Sequence, residues 1–152
     1  MTKRDFKRGI LHGMPIFLGY LAVSFSFGIF AVGSGLSVLE TVLISMCNVT
    51  SAGQLAGVPI IAGLGSPIEL ALGQFVINLR YALMSISLSQ KFDKTVRLLD
   101  RFAIAFLNTD EVFAVSVSQP QPTSRTYMYG LILMPYLGWT GGTSLFRSAT
   151  PP

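Results

Sequence analysis

The chain has 152 residues, 51% of them hydrophobic and only 12% charged, and carries a net charge of +4. Soluble domains hold about 25% charged residues, and between Gly9 and Gln90 the only charges here are Glu40, Glu69 and Arg80. So sparse a supply excludes an ordinary water-facing surface over that stretch and makes lipid its solvent.

The N-terminus is basic, with Lys3, Arg4, Lys7 and Arg8, and an apolar run follows from Ile16 to Val32. That run exceeds the apolar core of a signal peptide, and more apolar segments follow, so it reads as a first transmembrane helix over residues 15–32. Pro15 suits a first helical turn, where its missing N–H costs little. The span is about 27 Å at roughly 1.5 Å per residue, close to a hydrocarbon core. Gly33-Ser34-Gly35 ends it.

The second segment, residues 37–64, is interrupted. Its apolar pieces, 38–46 and 55–64, are separated by Asn48-Val49-Thr50-Ser51-Ala52-Gly53-Gln54. Each piece is too short to cross alone, so the two form either one broken helix or a re-entrant hairpin. Irregular backbone at membrane depth is tolerated only when buried in protein or lining a cavity, which marks the break as a functional candidate.

Segment three covers residues 67–90 and contains Asn78 and Arg80. A basic connector follows with Lys91, Lys94, Arg97 and Arg101. Basic clusters beside apolar runs mark the cytoplasmic side. With both clusters there, segments one and three return the chain to the inside and segment two makes no net crossing. This favours the re-entrant hairpin and a multi-pass protein of the cell (inner or plasma) membrane with a cytoplasmic N-terminus. Split into anchors, the basic residues do not form a nucleic-acid-binding stripe.

Segment four, residues 102–118, is short and holds Asn108-Thr109-Asp110-Glu111 at its centre. Gln119-Pro120-Gln121-Pro122 is a turn-rich break. Segment five spans residues 127–146. The fold class is therefore all-α, a polytopic membrane helix bundle with discontinuous or re-entrant helices. Cys47 and His12 are the sole cysteine and histidine, so neither an intrachain disulfide nor a metal cluster is expected. Cofactor and nucleophile–base signatures are likewise missing, which points away from an enzyme. Cys47 reads as a small packing residue.

Arg80 carries the most information. A charge at the centre of a membrane helix costs about 2.5–3.5 kcal/mol on insertion scales and is normally paired. Counted from the shared connector, Asp110 lies at a depth similar to Arg80, with Glu111 turned about 100° away. Arg80 is expected to pair with Asp110 or Glu111 inside the bundle; the alternatives are an Arg80 that snorkels to the interface and an Asp110-Glu111 pair lying in a solvated loop between two shorter helical pieces. A helix starting near Ser51 presents unpaired N–H groups and a positive dipole end, as discontinuous transporter helices do to a substrate carboxylate. Asn48, Thr50, Ser51 and Gln54 add hydrogen-bonding side chains there. Simple N-capping by Thr50 or Ser51 explains the same residues equally well.

Four motifs carry a resemblance. They are Met46 to Gln54, then Asn78-Leu79-Arg80-Tyr81-Ala82-Leu83-Met84-Ser85, then Thr109-Asp110-Glu111 with Phe113-Ala114, and finally Gly138-Trp139-Thr140-Gly141-Gly142-Thr143. In this order they resemble the AzlC family, the large subunit of branched-chain amino-acid exporters. The resemblance implies a multi-helix carrier in the lipid bilayer that works with a small AzlD-type membrane subunit. It implies export of branched-chain amino acids or related small zwitterions. Asn78, Arg80, Asp110, Glu111 and Gln54 carry over as motif members. Residues 1–143 then form the N-terminal part of a single AzlC-like transmembrane domain. The tail from Ser144 to Pro152 reads as non-helical and unlike a family continuation, so the chain reads as truncated or frameshifted and as a possible inactive fragment. The rival classes are a passive channel and a non-transporting scaffold subunit.

Overall fold

A computed structural model describes residues 3–149, which hold seven helices and no strand. They are α1 (Lys3–Gly33), α2 (Val38–Cys47), α3 (Ser51–Ala62), α4 (Pro67–Ser89), α5 (Leu98–Phe106), α6 (Asp110–Val117) and α7 (Arg125–Ala149). Among the described residues, only α1 and α4 are both long and apolar enough to cross a membrane. The outer side of α4 leaves Ile68, Leu72, Phe75, Val76, Leu83 and Ile86 exposed, a face suited to lipid. The chain is an all-α membrane helix bundle. Its residues sort into two compact units, Met1–Leu18 with Arg80–Leu137 and Gly19–Leu79 with Gly138–Pro152.

In the first unit, the start of α1 packs parallel to the start of α7. Gly9 faces Tyr127 and Leu131, and Gly13 faces Leu131 and Met134, so both sequence positions rise together. A Cβ at Gly9 meets the Tyr127 carbonyl and one at Gly130 meets the Phe6 carbonyl. Glycine lets the two backbones touch at this crossing. This contact also corrects the start of segment one: α1 begins by Lys3 with Pro15 in its interior, because the basic turns before Pro15 have a helix to pack on.

The same unit gathers both basic clusters at one end. The Arg8 guanidinium donates to Gln119 Oε1 at 2.6 Å. Thr123 N–H donates to the Lys91 carbonyl at 2.9 Å, and Asp93 N–H donates back to the Thr123 carbonyl at 3.1 Å. The connector after α4 and the loop before α7 are thereby tied together. Whatever lies between them must leave this end and return to it. Segment four is accordingly not one helix but two, α5 and α6, folded back on each other at residues 107–109. Asp100 fixes the mouth of this hairpin. Its side chain, only 4% exposed, accepts from Arg125 Nε at 2.9 Å, from the Tyr129 hydroxyl at 2.7 Å and from Arg97 N–H at 2.9 Å.

In the second unit, Ser37 and Glu40 form a reciprocal capping box that starts α2. Gln54 of α3 reaches Ser45 and the Asn48 carbonyl, while Val58, further along α3, joins Phe27, Ala31 and Leu36, with Ile44 packed on that cluster. Contacts that spread outward from the break in this order make α2 and α3 an antiparallel hairpin. Next, α3 and α4 run antiparallel, with Thr50 at Asn78, Gly53 at Gln74 and Gly57 at Leu70. Ser24 and Gly28 of α1 pack against Gly142 and Phe146 of α7. Buried Phe146 explains why the tail departs from its non-helical reading: α7 continues through Ser144 to Ala149, and residues 150–152 lie outside the described part. Cys47, expected to pack inside, is exposed at the end of α2.

Candidate functional site

Each unit contains one broken hairpin, and each break faces polar side chains of α4. In the second unit the break is short, covering residues 48–50. Asn48 and Thr50 adopt extended backbone, with φ −137° and −108°. The freed groups are taken up by a dense network. Asn48 Oδ1 accepts from Thr50 N–H at 3.1 Å, and Asn48 Nδ2 donates to Gln74 Oε1 at 3.2 Å. Gln74 Nε2 donates to the Gly53 carbonyl at 2.7 Å. Asn78 Nδ2 donates to the Gln74 carbonyl at 2.8 Å and to Gln74 Oε1 at 3.2 Å.

Thr50 occupies the N-cap of α3 but does not cap it; its hydroxyl donates to Asn78 Oδ1 at 2.9 Å instead. Simple N-capping is thus not what Thr50 does. The first-turn amides of α3 keep the donor capacity and dipole end that suit an anion. Ser51 opens α3 with its side chain exposed, whereas Gln54 is buried and donates from Nε2 to the Asn48 carbonyl.

In the first unit the break at residues 107–109 carries charge. Arg80 Nη2 lies 3.0 Å from Asp110 Oδ2 and also donates to the Tyr81 hydroxyl at 2.8 Å. The guanidinium sits 4.7 Å from the Tyr81 ring centroid, within cation–π range. Asp110 and Glu111 form the first turn of α6, where acidic groups suit the helix dipole. Thr109 caps that turn by accepting from Val112 N–H at 3.4 Å. Asn108 Nδ2 donates to Ser85 Oγ at 3.2 Å. One expectation changes here. The ion pair is not enclosed: the Arg80 and Asp110 side chains are 51% and 48% exposed. The pair sits at a hairpin tip, where few neighbours close over it.

Asn48, Thr50, Gln54 and Asn78 therefore meet in one network, and Arg80 and Asp110 in one ion pair. Glu111 lies in the same helical turn as Asp110, and Ser51 stands on the rim of its own break. Gln74 and Ser85 escaped the sequence reading. With Asn78 and Tyr81 they recur at spacings of four, three and four, a polar row along one face of α4 that periodicity alone could have exposed.

The family model described as AzlC protein matches residues 15–145. An uncharacterized membrane protein of Archaeoglobus fulgidus is 33% identical over 140 residues, covering 92% of this chain and 60% of the relative. The inner membrane protein YgaZ of Escherichia coli is 29% identical over 142 residues, covering 91% and 58%. The branched-chain amino acid transport protein AzlC of Bacillus subtilis is 22% identical over 153 residues, covering 95% and 59%. The chain thus spans about 60% of the length of these relatives. No solved structure matches it. A match over residues 15–145 includes all four sequence motifs and both helix breaks, and on that ground the chain belongs to the AzlC family.

Proposed function

We propose that this chain is the N-terminal part, over residues 1–143, of a membrane carrier that exports branched-chain amino acids together with a small AzlD-type subunit. Family membership and the name of the Bacillus relative support the substrate class. The observation that carries the chemistry is the Arg80–Asp110 pair. A zwitterion brings one charge of each sign. Its carboxylate can replace Asp110 on Arg80 while its ammonium takes Asp110 or Glu111, so no charge is left unpaired during the exchange. The uncapped start of α3, with Ser51 and the network of Asn48, Thr50, Gln54 and Asn78, offers a second place for a carboxylate.

In the same reading the end holding both basic clusters faces the cytoplasm of a multi-pass cell-membrane protein. The test is efflux of labelled leucine from proteoliposomes containing this chain and its AzlD-type partner. Leucine efflux that falls at least tenfold in Arg80→Ala, with the complex still assembled, is the expected result. Undiminished efflux in that variant removes the pair from the mechanism and leaves the chain a scaffold.

A further inference from the structure

Within the first unit, the stretch from Lys91 to Arg101 leads from α4 into α5 and carries the cations Lys91, Lys94, Arg97 and Arg101 beside the carboxylates Asp93 and Asp100. Both carboxylates are engaged elsewhere. Asp93 accepts from Thr95 N–H at 2.8 Å, and Asp100 pairs with Arg125. None of these cations takes part in the Arg80–Asp110 or Arg125–Asp100 pair. Arg101 is nevertheless held in a fixed place. Its Nη1 donates to the Ser89 carbonyl at 3.3 Å, and its guanidinium carbon lies 5.5 Å from the Phe92 ring centroid. A guanidinium has five N–H donors, so most of them stay open to an anion. Ser89 is the last residue of α4, which sets this cation level with the end of a helix long enough to cross the bilayer, the depth of lipid headgroups.

A cleft of about 260 Å³ lies between the end of α4 and α5, lined by Ile86, Phe92, Leu98, Phe102 and Ala105 together with Arg101. Arg101 meets Ser89 and Asn108 meets Ser85, so α5 descends along α4 away from the connector. The cation therefore stands at the headgroup end, and the apolar lining continues from it into the membrane. Beside the cleft, Leu98, Leu99, Phe102 and Phe106 of α5 are each more than half exposed. At about 100° per residue these four share one side of the helix. The volume falls below the roughly 300–1,000 Å³ of pockets that enclose a small molecule. Such a cleft grips part of a long molecule whose remainder lies along the exposed face.

We propose that the α4–α5 cleft holds an anionic phospholipid, its phosphate on Arg101 and one acyl chain laid along Leu98, Phe102 and Ile86. The cations left without carboxylates at this end select an anionic headgroup over a zwitterionic one. Lipid held here requires α4 to span the bilayer and is independent of what is transported. The experiment is native mass spectrometry of the full chain, which counts bound lipid as dioleoyl phosphatidylglycerol or dioleoyl phosphatidylcholine is titrated into its detergent micelles. Circular dichroism confirms that each variant is folded. The expected result is saturable retention of phosphatidylglycerol, at least tenfold tighter than phosphatidylcholine and undisturbed by excess inorganic phosphate. Arg101→Gln, which keeps a donor for the Ser89 carbonyl, abolishes the preference, whereas Lys94→Ala, an exposed cation outside the cleft, leaves it. Ala105→Phe fills the cleft and weakens phosphatidylglycerol at least fivefold. Equal binding of the two lipids, or equal losses in Arg101→Gln and Lys94→Ala, would reduce the effect to surface charge and overturn the proposal. So would a folded Ala105→Phe that binds as the parent, or displacement of the lipid by inorganic phosphate. Disulfide cross-linking between copies through Phe102→Cys, in a Cys47→Ser background in nanodiscs, would give the face to a second copy and overturn it as well.

Discussion

Arg80 Nη2 and Asp110 Oδ2 stand 3.0 Å apart, and Asp110 is the first residue of α6. The pair joins a long apolar helix to the tip of a folded-back one. Because both side chains are about half exposed, its contribution to stability is screened and amounts to about 1 kcal/mol or less. Arg80→Ala and Asp110→Ala should therefore unfold close to the parent in thermal scans while losing most leucine export. The double exchange Arg80→Asp with Asp110→Arg should recover part of that export. Single variants that lose stability and activity in proportion would make the pair a structural tie.

A contrasting acidic residue tests the same physics from the other side. Asp100 is buried against Arg125 and Tyr129 at the mouth of the α5–α6 hairpin. Asp100→Ala removes the shared acceptor of Arg125 Nε, the Tyr129 hydroxyl and the Arg97 N–H, at a side chain only 4% exposed where Asp110 is 48% exposed. Denaturation in detergent should show this variant far less stable than Asp110→Ala.

Thr50 donates its hydroxyl to Asn78 across the α3–α4 contact. Thr50→Val keeps the shape and removes the donor, at a cost of about 1 kcal/mol for a neutral hydrogen bond. Thr50→Ser should retain export and stability, since the hydroxyl remains. A valine variant as active and as stable as the serine one would show that the bond is dispensable.

The α1–α7 crossing predicts a steric effect. At Gly130 a methyl group meets the Phe6 carbonyl, which belongs to backbone and cannot swing aside. Gly130→Ala should lower the unfolding midpoint, with a loss of about 1–3 kcal/mol typical of overpacking. Gly19→Ala, where added bulk meets open space, should change it little.

Segments one and three were legible because long apolar runs interrupted by few charges have one stable solution in lipid. The break near Asn48 was legible for the complementary reason, since Asn48, Thr50 and Gln54 are costly in hydrocarbon unless the backbone is interrupted there. Segment four was legible in part. Asn108-Thr109-Asp110-Glu111 at its centre left open two shorter helical pieces, but their fold-back depends on ties such as Thr123 to Lys91, which join positions far apart in the chain. Depth counting narrowed the partner of Arg80 to Asp110 or Glu111, and Asp110 is the one at 3.0 Å, but the exposure of the pair depends on what packs around a hairpin tip. Gln74 was missed because a lone glutamine carries little signal until its row along α4 is traced.

A carrier binds and exchanges its substrate, and counterflow reads that property directly. Proteoliposomes holding this chain and its AzlD-type partner are loaded with unlabelled leucine and diluted into a trace of labelled leucine. A carrier of this kind gives a transient accumulation of label above its equilibrium level that saturates with leucine and is lost in Arg80→Ala. Label that only equilibrates, at a rate proportional to concentration, would instead identify a passive channel.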